Sequence, residues 1–61
     1  MDVDIKGCLN QINKSWKAFE HNGKPMTKSQ VIKVLNYGLS KGYKAISEIS
    51  DDEVNKIINN A

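Results

Sequence analysis

The sequence predicts an all-α fold, a small three-helix bundle with an ordered loop before the last short helix. Three observations lead there. Apolar residues recur at three- and four-residue spacing in two long stretches. Two capping signatures, Thr27-Lys28-Ser29-Gln30 and Ser50-Asp51-Asp52-Glu53, mark helix starts. The one proline, Pro25, falls between apolar segments rather than inside one.

Residues 3–20 are read as the first helix. Ile5, Cys8, Leu9, Ile12, Trp16 and Phe19 project onto about 100° of its circumference, the stripe of a helix packed on one core. Asp2 or Asp4 can cap its positive end, and Gly7 weakens its first turns. Lys6, Asn10, Lys14 and Lys17 fall on the opposite side.

His21-Asn22-Gly23-Lys24-Pro25 breaks the chain. Asn or Gly can close a helix, and Pro prevents continuation. Asn-Gly also favours a hairpin turn, but its flanks do not alternate. A short helix–helix connection is therefore expected, with antiparallel packing and His21 as an exposed cap residue.

The central helix runs from Thr27 to Gly42. Thr27 and Gln30 form a capping box, Met26 and Val31 a hydrophobic staple. Lys41 suits the negative end, and Gly42 can take the left-handed conformation that ends a helix. Val34, Gly38, Val31, Leu35, Leu39 and Ile32 cover an arc of about 160°, wide enough for neighbours on two sides. Ser29, Lys33, Asn36 and Ser40 lie opposite. Gly38 stands near the middle of the apolar arc, although mid-helix Gly costs about 1 kcal/mol against Ala. It is a candidate close-packing contact. The neighbour is either another backbone, such as that of a second subunit, or, on the favoured reading, an intramolecular group such as Trp16.

Residues 43–49 have no clean period. Tyr43, Ile46 and Ile49 give them three apolar anchors, so an ordered loop or single helical turn is expected. The last helix starts after Ser50 with a second capping box to Glu53 and a second staple, Ile49 with Val54. Asp51, Asp52 and Glu53 suit its positive end. Val54, Ile57, Ile58 and Ala61 make a narrow apolar face.

A chain of 61 residues makes one domain, near the lower limit for a core without disulfides or metals. Cys8 is the only cysteine, which fits a reducing compartment. The opening residues MDVDIKGCLN lack the apolar run of a signal peptide, and no segment approaches the length of a membrane span. The expected location is cytoplasmic, so the Asn13-Lys14-Ser15 acceptor pattern carries no weight. All nine basic residues are Lys, and Ile and Asn are abundant, as low-GC codon usage in a bacterium or phage would produce.

Charge is uneven. From Ile5 to Ser47 there are eight Lys and one Glu, a net of +7, and from Glu48 to Ala61 four acids and one Lys, a net of −3. Asp2 and Asp4 bring the total to +2. Lys6, Lys14, Lys17 and Lys33 form a candidate face for an anionic partner. Against nucleic acid stand the absence of Arg, the scatter of the lysines, and the acids that a third-helix recognition element would present to phosphates. A solvated, solubilising Lys face is the simpler account.

Enzyme chemistry is not expected. Cys8 and His21 would lie about 20 Å apart along a continuous helix of about 1.5 Å rise per residue. No cofactor loop, metal-ligand spacing or nucleophile–base pair is present in the sequence. The sequence thus points to a non-enzymatic binding protein whose partner is another protein, a second copy of the chain among the candidates. Nucleic acid is the less favoured partner.

Overall fold

A computed structural model describes residues 3–59. The described chain is mostly helical: α1 spans Ile5–Asn10, α2 Ile12–Ser15, α3 Lys28–Ser40 and α4 Asp51–Asn59. Single 3₁₀ turns cover Trp16–Ala18 and Ile46–Glu48. A two-stranded antiparallel sheet, β1 Glu20–His21 and β2 Lys24–Pro25, joins the first helical region to α3.

α3 is the hub. Its Thr27 hydroxyl accepts from the Gln30 N–H, and the Gln30 side chain accepts from the Thr27 N–H. The helix ends at Ser40 with Lys41 as its cap, and Gly42 follows at φ 81°. The Tyr43 N–H reaches the Gly38 carbonyl and the Gly42 N–H that of Leu39, the paired bonds of a Schellman ending. Val31, Val34, Leu35 and Gly38 are buried, and Ile32 and Leu39 are half-buried. Ser29, Lys33, Asn36 and Ser40 are exposed. α1 and α2 pack on one side of α3 and α4 on another, which accounts for the width of its apolar arc.

The expected first helix is broken. Gln11 leaves helical geometry at φ −111°, ψ 26°, and separates α1 from α2. The Ser15 hydroxyl bridges the bend by donating to the Cys8 carbonyl at 2.9 Å. Asn10, Asn13 and Ser15 are poor helix formers whose side chains compete for backbone partners, so this stretch resists a continuous helix. Asp4 caps α1 by accepting the Gly7 N–H. Asp2 and Ala61, assigned a capping and a core role from sequence, lie outside the described residues.

The hairpin is the second correction. Asn22 at φ 54° and Gly23 at φ 77° both adopt the left-handed conformation, as a type I′ turn requires. Alternating flanks were not needed, because the ladder is only two pairs long, Glu20 with Pro25 and His21 with Lys24. The Met26 N–H donates to the Phe19 carbonyl beyond it. His21 is consequently half-buried, not a freely exposed cap.

The core comprises Ile5, Cys8, Met26, Val31, Val34, Leu35 and Ile49, with Trp16 and Phe19 only half-buried at its margin. Residues 43–49 are ordered. The Ile5 N–H donates to the Lys44 carbonyl and the Ile46 N–H to the Val3 carbonyl, stitching the start of the chain to this loop. No helix of the described residues is long and apolar enough to cross a membrane.

Candidate interaction surfaces

An apolar groove lies where the start of the chain, α1, the end of α2, the 3₁₀ turn that follows and the loop after α3 meet. Val3, Cys8, Ser15, Ala18, Phe19 and Ile46 line about 310 Å³ of it. A second hollow of about 270 Å³ shares Val3, Cys8 and Ser15. Val3 is held there by the bond from Ile46, yet it is 52% exposed. It is the most exposed large apolar side chain of the described residues. Sequence periodicity missed this face because Val3 precedes the helix and Ile46 arrives from a loop.

Cys8 is only 5% exposed. Burial, and secondarily the charge of Asp4, pushes its thiol pKa up, so the reactive thiolate is disfavoured.

The four lysines singled out by the charge pattern are all exposed. They belong to different elements: Lys6 to α1, Lys14 to α2, Lys17 to the 3₁₀ turn and Lys33 to α3. Lys6 shares a small hollow with Lys44, which the stitched backbone brings alongside from the loop. Sequence spacing gave no sign of that pairing. Lys28 bonds the Asn13 side chain, and the Lys41 ammonium lies 5.6 Å from the Tyr37 ring centroid. The candidate contact Gly38 faces the chain's own side chains. An added Cβ would stand 2.8 Å from Ile5 Cδ1 and 3.0 Å from Ile49 Cδ1, so the crowding comes from two isoleucines rather than Trp16 or another backbone.

The α3–α4 junction carries a polar cluster. The hydroxyls of Tyr37 and Tyr43 both donate to Glu53 Oε2, at 2.7 and 2.9 Å. Glu53 Oε1 accepts the Ser50 N–H at 2.9 Å, and the Ser50 hydroxyl accepts the Glu53 N–H, the expected capping box. The Ser50 N–H first, and then the Tyr37 hydroxyl, hold Glu53 down at about 2. The same carboxylate pushes Tyr37 up to about 12 and raises Tyr43.

A third surface lies between the hairpin and α4. There His21 Nε2 stands 2.7 Å from Asn55 Oδ1. Among the described residues, no group of three His, Cys, Asp or Glu side chains is placed to hold a metal ion. The chain matches no protein-family model, no curated protein sequence and no solved structure.

Proposed function

We propose that this chain is a small, non-enzymatic protein-interaction module working in a reducing, cytoplasmic setting. Its contact face is the groove lined by Val3, Ala18, Phe19 and Ile46. The observation that carries the reading is the contiguity of apolar side chains around that groove, with Val3 and Ala18 exposed and Phe19 and Ile46 half-buried, since a joined apolar patch gains from being covered where a lone residue need not. A second copy of the chain is the first partner to test, and another protein of the same cell the next.

Sedimentation velocity over about 10–200 µM, the range of a weak to moderate complex, tests self-association. A concentration-dependent dimer that Val3→Glu or Ala18→Glu returns to monomer supports it. Both positions are exposed, so neither variant should unfold the chain. A strict monomer throughout removes self-association. Failure of the wild-type chain, relative to Val3→Glu, to enrich any protein from the source cell removes the wider reading.

A second reading rests on the exposure of Lys6, Lys14, Lys17 and Lys33. In it the lysines contact nucleic-acid phosphates without reading sequence. Duplex DNA binding at about 50 mM salt should then fall steeply as salt rises. Lys14→Glu with Lys17→Glu should weaken it, and no binding at that salt discards this reading.

A further inference from the structure

The hairpin and the last turns of α4 enclose a cleft of about 320 Å³, apart from the apolar groove. Its volume is at the small end of the range for small-molecule sites, about 300–1,000 Å³. Met26, 6% exposed, forms the floor together with Pro25 and Ile58. Lys24, Gln30 and Asn55 are among the polar lining residues, and no carboxylate is among those described.

The hydrogen bonds around the cleft decide what its polar groups can still do. A carboxamide oxygen can only accept. Asn55 Oδ1 is engaged by His21 Nε2, which is therefore the donor. Gln30 Oε1 is engaged by the Thr27 N–H at 3.0 Å. Each carboxamide thus has its oxygen held by one bond, which fixes its orientation, and its NH₂ left to donate. The Lys24 ammonium adds three more donors and a positive charge. Such a wall suits an oxyanion, and charge-assisted bonds to one are the stronger kind. The apolar floor suits a short hydrocarbon chain.

We propose that this cleft binds a small organic carboxylate. Its oxyanion lies against Lys24, Gln30 and Asn55, and a short aliphatic chain covers Met26 and Ile58. The hairpin supplies His21, Asn22, Lys24 and Pro25 to the lining, and α4 supplies Asn55, Ile58 and Asn59. This site is independent of the groove, and the failure of either proposal leaves the other standing.

The test is an NMR titration of the ¹⁵N-labelled full chain with sodium butyrate at constant ionic strength, with chloride as the control. Saturable millimolar binding is expected, with shifts concentrated at the Gln30 and Asn55 side-chain amides and at Gly23. Acetate should bind about tenfold more weakly, because it lacks two methylenes over the floor. Lys24→Glu should weaken butyrate by about tenfold or more, without altering the rest of the spectrum, because Lys24 is exposed. Ile58→Ala should narrow the difference between butyrate and acetate. Non-saturating shifts, shifts reproduced by chloride, or shifts spread over the lysines of α1 to α3 would overturn the site. Inorganic phosphate binding as tightly as butyrate would overturn its assignment to carboxylates.

Discussion

α1 and α4 flank the same central helix but hold to it by different means. α1 offers Ile5, fully buried, and Cys8, 5% exposed, to a seam containing Val31 and Leu35, themselves fully buried. α4 contains no fully buried residue, and its Val54, Ile57 and Ile58 are half-buried. Its polar ties are two tyrosine hydroxyls on Glu53 and the bond from His21 to Asn55. Burial of apolar surface is non-directional and sums over many atoms. A hydrogen bond that replaces one to water adds little on balance. The α1 seam should therefore set whether the chain folds, and the α4 seam whether one helix lies in register.

The hardest blow to this contrast is Leu35→Ala. It should cost about 3 kcal/mol. A chain of this size has only about 3–5 kcal/mol from its core, which leaves about 0–2 kcal/mol, so far-UV circular dichroism should show the melting midpoint fall toward 25 °C with part of the helical signal already lost there. A cooperative native-like melt would sink the assignment of the α1 seam as the source of stability. Gly38→Val follows. Its branched side chain would press on Ile5 and Ile49, and overpacking of this kind costs about 2 kcal/mol. Gly38→Ala should be far milder, since about 1 kcal/mol of helix propensity offsets the displacement of two flexible Ile tips. Thermal melts of the pair sharpen the point, and equal effects would contradict it.

The smallest global effect belongs to Glu53→Gln. It should disturb near-ultraviolet tyrosine signals and the α4 resonances while the Ile5 and Leu35 methyl signals stay in place. Acidity probes the same tie. Folding lowers Glu53 from 4.5 to about 2, so its contribution is full above about 4.5 and disappears as pH falls toward 2. Folding raises Tyr37 from 10 to about 12, so its contribution is full below about 10 and disappears as pH rises through 12. α4 should hold best between those limits. Tyrosine absorbance titrated with base checks the upper one, and an ordinary midpoint near 10 would remove the Tyr37–Glu53 bond from the account.

α3 was legible in the sequence because every local signal agreed: cap, staple, apolar arc and terminal glycine all name the same boundaries. Both capping boxes were readable for the same reason, whereas residues 43–49 showed only three apolar anchors, enough to expect order but not to choose between a loop and a helical turn. The break at Gln11 was not, since the apolar spacing from Ile5 to Phe19 continues through a bend that polar side chains impose. The hairpin was signalled by Asn22-Gly23, but so short a ladder leaves no alternation to detect. The groove and the donor-rich cleft were invisible because their residues come from segments far apart in the chain. Val3 bonds to Ile46, and Lys24 and Asn55 come to line one cleft, only once the chain has folded.

The stitch between the chain's start and the loop after α3 has a practical corollary. The Ile5 amide is bonded to Lys44 beneath a side chain that water does not reach. It can trade its proton for deuterium only when those distant segments part, an event close to whole-chain unfolding. One slowly fading resonance therefore serves as a gauge of total conformational stability, and the Ile46 amide, donating in the reverse direction to the exposed Val3, reads the cheaper opening at the outer end of the same bridge.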